Sequence, residues 1–293
     1  MLEGIFVEGL IYGIVALGVL ITYRVLDFPD LSVDGTFPLG AAVMVQSILS
    51  GIPLTVAFLL VFLSGAAAGS VTALIHNKLK VPSLLASILT MTMLYSVNMR
   101  IMKAPFVSLN KVPTLLTKFT LLTEGIFPDR ALSYFVLFLT IIIILIFILN
   151  RFFHTDMGLC LGALGDNEQM IINQGMNPDH LKIIGLALSN GLVSLAGGFV
   201  AQYQKFADIN MGIGIVVIGL ASVMIGELVI RSNKISLLLV RVVIGATIYR
   251  GILFLSRPLL IYPTDHKLFT GLLIIIILVI TKFNKKGATK WLR

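Results

Sequence analysis

Apolar stretches separated by short polar ones make up most of this chain. About 20 apolar residues in a helix cross the roughly 30 Å hydrocarbon core of a bilayer. Several stretches approach that length, so the pattern predicts an all-α fold, a polytopic transmembrane helical bundle of about nine spans, with about eight to ten compatible. The predicted spans are residues 5–25, 36–50, 53–75, 82–101, 131–150, 181–203, 211–230, 235–255 and 266–281.

The second predicted span, residues 36–50, is short and is opened by Pro38. A polar stretch, LDFPDLSVDGTFPLG, surrounds its start. Broken helices occur at membrane depth only where protein or a water-filled cavity covers the backbone. The stretch therefore indicates either a broken-helix gate or a well-capped turn. The candidate pathway or gate residues here are Asp30, Asp34 and Phe37.

Two segments of the chain align without gaps, which indicates an internal repeat. Residues 13–31 match residues 191–209 at Gly13/Gly191, Val15/Val193, Leu17/Leu195, Phe28/Phe206 and Asp30/Asp208. Inverted repeats are common in transporters and place the pathway at their interface. We predict two inverted four-span halves, residues 5–101 and 181–281. The second half adds further pathway or gate candidates, which are Phe206, Asp208 and Asn210.

A polar island, residues 155–182, interrupts the apolar pattern in mid-chain. The sequence predicts a short helix that is capped by Asp166 or Asn167 and stopped by Gly175. Asn177-Pro178 then predicts a helix start that runs into the next span after about two residues. We interpret the island as a lever that passes a push from outside the bilayer into it. The alternative is an ordinary solvated loop.

Composition indicates a membrane protein without a separate soluble domain. The chain of 293 residues is 57% hydrophobic and 12% charged, whereas soluble domains contain about 25% charged residues. We therefore treat residues 1–293 as a single transmembrane domain. The formal net charge of +8 reflects basic loops at the membrane surface and does not indicate nucleic-acid binding.

The sequence carries no catalytic signature. It contains no H-E-x-x-H metal motif and no G-x-x-x-x-G-K-[ST] phosphate-binding loop. The single cysteine, Cys160, excludes an intrachain disulfide and a cysteine metal cluster. We predict no catalytic residue, no metal ligand and no cofactor in this chain. A proton-driven carrier would hold an acidic residue near mid-membrane, and no span clearly places one there.

The distribution of basic residues predicts the orientation. With the tail KFNKKGATKWLR in the cytoplasm, the cytoplasmic loops of a nine-span chain hold more lysine and arginine than the outer loops. The N-terminus is then outside, and the polar island faces the cytoplasm. Glu227 and Arg241 fall at membrane depth, within about 10 Å of the inner surface. We predict a structural ion pair between them in preference to substrate binding.

The order of these motifs resembles the permease subunits of ABC importers in the branched-chain amino-acid and ribose permease superfamily. The carrying stretches are GLIYGIVALGVLITYRVLDFPDLSVDGTFPLGAAV near the start and LGDNEQMIINQGMNPDHLKIIGLALSNGLVSLAGGFVAQYQKFADINMGIGIVVIGLASVMIGE after the centre. DLSVDGTFPLGAA and FADINMGIG are similar to a bacterial subgroup associated with tryptophan or tyrosine uptake. The resemblance covers most of the chain, from about residue 4 to residue 255, and residues 102–130 carry no matching motif.

The resemblance implies a permease subunit of an ATP-driven importer, which moves a small solute, expected to be an amino acid, by alternating access. It implies a homodimer in the bacterial cytoplasmic membrane, an extracytoplasmic substrate-binding protein, and cytoplasmic ATP-binding subunits that hold ATP and Mg²⁺. Residues 155–180 match the segment that couples to the ATPase, at Asp166, Asn167, Glu168, Gln169, Asn173, Gly175 and Asn177. A stand-alone secondary transporter is the alternative.

Overall fold

A computed structural model describes residues 2–109, 113–123, 130–230, 232, 234–256 and 265–284. These residues form α-helices, one π-helical segment and one small antiparallel sheet. The elements in chain order are α1 (Leu2–Leu20), the π-helical segment (Ile21–Val25), α2 (Val33–Leu49), α3 (Leu54–Leu79), α4 (Ser83–Met102), β1 (Phe106–Ser108), α5 (Leu115–Thr123), α6 (Arg130–Phe153), α7 (Asp156–Asp166), α8 (Glu168–Asn173), α9 (Pro178–Gln204), β2 (Phe206–Asp208), α10 (Ile215–Val229), α11 (Ile235–Ser256) and α12 (Asp265–Asn284).

Every predicted span falls on a helix of the described chain, namely α1 with the π-helical segment, α2, α3, α4, α6, α9, α10, α11 and α12. Among the residues described, 6 helices are long and apolar enough to cross a membrane. The apolar helices α2, α10 and residues Leu268–Ile277 of α12 are shorter. The all-α bundle is confirmed, whereas the count of nine crossings stays a prediction.

The centre of the bundle is formed by α1 and α9, whose residues are mostly buried, while those of α4 and α6 are mostly exposed. Helix α9 packs on α1, α2 and α3, and small residues allow the closest approaches. A Cβ atom at Gly69 of α3 would collide with the backbone carbonyl of Leu186 in α9. Because lipid tails are as apolar as leucine, such close backbone packing is a main source of helix association in membranes.

The helix contacts in the two predicted halves of the chain correspond to each other. Helix α1 packs on α10 and α11, just as α9 packs on α2 and α3. Helix α10 also packs on α11 and α12, just as α2 packs on α3 and α4. This arrangement is what two structurally equivalent halves would produce, and the inversion between them stays a prediction.

The short helices α2 and α10 both begin inside the bundle, next to each other. Helix α2 begins at Val33, so the prediction that Pro38 opens this helix was wrong. Because proline has no N–H, it cannot bond to the Asp34 carbonyl one turn earlier. Gly212, in the segment leading to α10, packs against that carbonyl and against the ring of Pro38.

A two-stranded sheet joins the end of α4 to the end of α9. Strands β1 and β2 are antiparallel, with Val107 opposite Ala207. The backbone pairing continues beyond the strands, because Leu109 N donates to Lys205 O at 2.7 Å and Ile209 N to Pro105 O at 3.0 Å. The sheet therefore fixes the chain between α9 and α10 at the end of the bundle opposite the polar island.

Candidate functional site

The polar island folds into two short helices before α9 begins, where the sequence predicted one. Helix α7 was missed, although Thr155 supplies a recognisable cap by accepting a hydrogen bond from Gly158 N at 3.3 Å. Leu161 and Leu164 of α7 and Ile171 of α8 are buried. These side chains hold the island against the bundle, and the other face of both helices is left outside it.

Asn167, and not Asp166, caps the helix that the sequence predicted. Its side-chain oxygen accepts hydrogen bonds from Gln169 N at 3.0 Å and Met170 N at 3.4 Å. Asp166 instead ends α7. Glu168 lies in the first turn of α8, where the helix dipole favours negative charge, and accepts a hydrogen bond from Lys182 Nζ at 2.9 Å.

The helix stop and restart also have identifiable causes. Gly175 has a φ of +77°, in the left-handed region that favours glycine after a helix end. Asn177 caps α9 by accepting a hydrogen bond from Asp179 N at 2.9 Å. Four residues, 174–177, separate α8 from α9, so the predicted linker of about two residues was too short. The turn at Gln174 and Gly175 accounts for the difference.

All the predicted coupling residues are exposed on this island, namely Asp166, Asn167, Glu168, Gln169, Asn173, Gly175 and Asn177. Large apolar side chains are exposed beside them, at Met157, Leu159, Met170 and Ile172. A surface that mixes exposed apolar and polar groups at the end of a membrane bundle is suited to contact with another protein.

A polar cavity of about 290 Å³ lies between the island and the turn that follows the π-helical segment. It is lined by Leu26, Asp27, Phe28, His76, Ser83, Leu164, Gly165, Asp166, Asn167, Glu168 and Lys182. The end of α3 and the start of α4 line it through His76 and Ser83, and Asn77 Nδ2 near the end of α3 donates to the carbonyl of Asp179 in the first turn of α9 at 3.0 Å. The island therefore adjoins two other parts of the bundle besides α9, namely the turn after the π-helical segment and the connection between α3 and α4.

At the start of α2, the Asp30 carboxylate is only 6% exposed and is held by hydrogen bonds. It accepts from Ser32 N at 2.8 Å and from Asn190 Nδ2 at 2.8 Å. Asn190 Oδ1 in turn accepts from Thr36 Oγ1 at 2.7 Å and from Ser32 Oγ at 3.2 Å. This network ties the chain before α2 to the middle of α9, and the partner Asn190 was not predicted from the sequence.

Asp34 links the two short helices directly. Its carboxylate accepts hydrogen bonds from Gly214 N at 3.0 Å and Val216 N at 2.8 Å. These are N–H groups at the start of α10, which have no partner within their own helix. Asp34 of α2 therefore caps α10, and no local sequence signal connects residues so far apart. Phe37 is buried one turn later and stacks on Tyr12.

Phe206, Asp208 and Asn210 lie at the opposite end of α9, at and after β2. Phe206 stacks on Phe106 of β1 with ring centroids 5.2 Å apart. Asp208 Oδ1 accepts a hydrogen bond from Asn210 N at 2.7 Å, which repeats the turn that Asp30 makes with Ser32 N. The structure thus places matching turns before α10 and before α2, while Phe206 is itself part of the small sheet.

Glu227 and Arg241 lie together, with Arg241 Nη2 at 3.1 Å from Glu227 Oε1. Sequence analysis missed a third member, because Arg24 of the π-helical segment lies 3.2 Å from the same carboxylate oxygen. Arg241 also donates to the Ser232 carbonyl at 3.0 Å, so it holds the connection between α10 and α11. The carboxylate therefore joins α10 to both α11 and the end of α1.

Comparison with known proteins gives the family. The profile of the family described as "Branched-chain amino acid transport system / permease component" matches residues 1–278. The chain belongs to this family. It is thus a multi-pass membrane permease component of an ABC-type transport system, and such components are transporter membrane subunits, not enzymes.

Two curated proteins are similar to this permease over most of their length. It is 39% identical over 280 residues to the "Tyrosine transport system permease protein" of Clostridioides difficile (strain R20291), which covers 96% of this chain and 91% of that protein. It is 34% identical over 264 residues to an uncharacterized protein of Rickettsia prowazekii (strain Madrid E), covering 89% of this chain and 90% of that protein. No solved structure gives a significant match.

Proposed function

We propose that this chain is the membrane permease subunit of an ATP-driven ABC importer and forms the translocation pathway for an amino acid by alternating access. The observation that carries the proposal is the exposed island, which presents every predicted coupling residue on two short helices and on the connections that join them to each other and to α9. A contact that moves these helices moves the first turn of α9. Force applied outside the bilayer can therefore reach the buried centre of the bundle.

The partners we propose are those that membership of this family implies. The permease pairs with a second copy of itself, and two cytoplasmic subunits bind ATP and Mg²⁺ and hydrolyse the ATP. An extracytoplasmic protein delivers the substrate. In this arrangement the island and the C-terminus face the cytoplasm of a bacterial cell, and the sheet of β1 and β2 lies toward the outer surface of its plasma membrane.

The junction of α2 and α10 is the proposed gate. Both helices begin inside the bundle, and the Asp34 carboxylate bonds to the first N–H groups of α10. Transporters commonly build their pathways from such discontinuous helices at the interface between inverted repeats. Two observations support such a repeat here: the corresponding helix contacts in the two halves, and the matching turns at Asp30 and Asp208. Gate opening then means separation of α2 from α10.

The substrate we propose is an aromatic amino acid. The support is the 39% identity to a tyrosine transport system permease over nearly the whole chain. Among the described residues, the acidic side chains at the start of α2, Asp30 and Asp34, are both engaged in hydrogen bonds within the bundle, which favours ATP-driven import over proton-driven transport.

Transport in vesicles tests the proposal. The permease, the ATP-hydrolysing subunit that co-purifies with it and the cognate binding protein are reconstituted, and uptake of labelled tyrosine is measured. We expect uptake only with ATP inside and binding protein outside the vesicle, and we expect unlabelled tryptophan or tyrosine, but not leucine, to compete. Uptake by the permease alone, without ATP, would show a secondary transporter instead.

A further inference from the structure

The end of α7 packs closely against the π-helical segment that follows α1. A Cβ atom at Gly165 would collide with the backbone carbonyl of Val25 and would crowd the carbonyl carbon of Leu26. No other residue type fits at this position without moving one backbone away from the other. The island is therefore joined to α1 through backbone atoms, in addition to its connection with α9.

The segment it touches has an unusual backbone. In the π-helical segment, Leu26 N donates to Ile21 O at 3.0 Å, one residue farther back than in an α-helix. The chain continues into a tight turn in which Asp27 has a φ of +50°. Single π-helical turns within α-helices are frequently found at functional sites. Here the π-helical turn lies where the buried helix α1 meets the island.

The same segment is bonded to α10. Arg24 Nε lies 3.2 Å from Glu227 Oε1, in the last turn of α10. At its other end, α10 begins at the two N–H groups that bond to Asp34 of α2. Helix α10 thus runs from the π-helical segment to the junction between the two short helices, which is the proposed gate.

We propose that the π-helical segment Ile21–Val25 is a second transmission element, which receives the motion of α7 at Gly165 and passes it to α10 through Arg24 and Glu227. This inference rests on the proposed function, because it names residues that position the gate during ATP-driven transport. The route through α9 leads to the Asp30–Asn190 network on the α2 side of the gate. The route through the π-helical segment leads to the α10 side, so the two routes together act on both helices of the junction.

The chain offers a matched pair of substitutions on α7. Gly165→Ala introduces a methyl group against the Val25 carbonyl, whereas Gly162→Ala introduces one where no described heavy atom lies within 4 Å. We measure ATP hydrolysis by the assembled complex in nanodiscs, with and without the cognate binding protein loaded with tyrosine. Gly165→Ala is expected to reduce the stimulation by roughly 2- to 30-fold, the range found for residues that couple two sites. Gly162→Ala is expected to leave it unchanged.

Arg24 provides an independent variant with little risk to folding, because Arg241 still pairs with Glu227 when the Arg24 charge is removed. Arg24→Gln is expected to reduce the stimulation as Gly165→Ala does, and the conservative Arg24→Lys is expected to restore most of it. Arg24→Gln and Arg24→Lys should both co-purify with the ATP-hydrolysing subunit in normal amount.

A distance measurement distinguishes transmission from simple packing. Spin labels are placed at the exposed residues Tyr23 and Leu159 in a Cys160→Ser background. In the otherwise unsubstituted complex, the distance between the labels should stay the same with and without ATP and vanadate, because the π-helical segment and α7 move together. In Gly165→Ala, the distance should change with nucleotide.

Two results separate a failure of this inference from a failure of the proposed function. The inference of a second transmission element is wrong, and the importer stands, if stimulation is normal in the unsubstituted complex and equal in Gly165→Ala and Gly162→Ala. The same conclusion holds if the label distance changes with nucleotide in the unsubstituted complex. If the unsubstituted permease binds no ATP-hydrolysing subunit, both are overturned.

Discussion

The polar island and the junction of α2 with α10 satisfy their polar groups in opposite ways. On the island, Asn167 and Asn177 bond to N–H groups two or three residues ahead of them in the chain. At the junction, Asp30 bonds to a residue 160 positions away and Asp34 to residues 180 and 182 positions away. The island is exposed, so its remaining polar groups are hydrated, whereas the polar groups of the junction are buried or partly buried in the bundle and find partners in distant segments.

This difference separates two kinds of substitution. Changes at the junction leave buried groups without partners and should lower the stability of the whole bundle. Changes on the island remove contacts that water can replace, so they should affect coupling to a partner more than folding. The predictions below test that division, from the largest expected loss of stability to the smallest.

Asp34→Ala should have the largest effect. It leaves the N–H groups of Gly214 and Val216 without their acceptor inside the bundle. A buried unsatisfied group costs about 1–3 kcal/mol, and these two bonds are partly buried, so the substitution should lower the free energy of unfolding by about 2–4 kcal/mol. The measurement is thermal unfolding of the purified permease in nanodiscs, with Asp34→Asn, which keeps one acceptor, as the intermediate case. Unfolding at the original temperature would refute the capping role.

Asn190→Ala should follow. It removes the side-chain Nδ2 that donates to Asp30 and the side-chain Oδ1 that accepts from Thr36. The Asp30 carboxylate keeps its bond from Ser32 N, so the expected loss is about 1–3 kcal/mol, smaller than for Asp34→Ala. The same unfolding experiment measures it, and tyrosine uptake should fall as well. A permease with normal stability and uptake would show that this network is not required.

Asn167→Ala removes a cap on the exposed island. Loss of an N-cap typically costs about 1 kcal/mol, and here it should destabilise α8 locally without unfolding the bundle. Hydrogen exchange of the amides of Gln169 and Met170 should increase, while the unfolding temperature stays close to that of the original chain. A large drop in unfolding temperature would contradict the division between the two regions.

Glu168→Lys should have the smallest effect on stability and a large one on coupling. Glu168 is 48% exposed, and such surface pairs contribute at most about 1 kcal/mol. The permease should therefore insert and unfold normally, but binding-protein-stimulated ATP hydrolysis by the complex should be lost. Lys182→Gln serves as the control, since it breaks the pair with Glu168 without reversing the island's charge. Normal stimulation in Glu168→Lys would place the ATPase contact elsewhere, for example in the turn at residues 76–80.

Gly175→Pro should act in the same way as Glu168→Lys, because proline cannot adopt the φ of +77° found there.

Much of the island could be predicted from the sequence, because its signals are local. Gly175 and Asn177-Pro178 act on the backbone within a few residues, and they end one helix and start the next as expected. Helix α7 was missed because its glycines and small apolar residues give a weak helical pattern, and burial of Leu161 and Leu164 stabilises it. The pairing of Glu227 with Arg241 followed from their similar depth in the membrane, whereas the approach of Arg24 depends on how α1 packs against α10.

The sequence by itself determined the kind of molecule. Runs of apolar residues near bilayer length impose membrane helices, because every backbone polar group in lipid must bond within its own segment. Only the tertiary structure decided which side chains meet inside the bundle. The bonds from Asp34 to α10, from Asp30 to Asn190, and from Arg24 to Glu227 join residues that are far apart in the chain. These partners are selected by helix packing and by the absence of water around buried polar groups, and no local pattern encodes that choice.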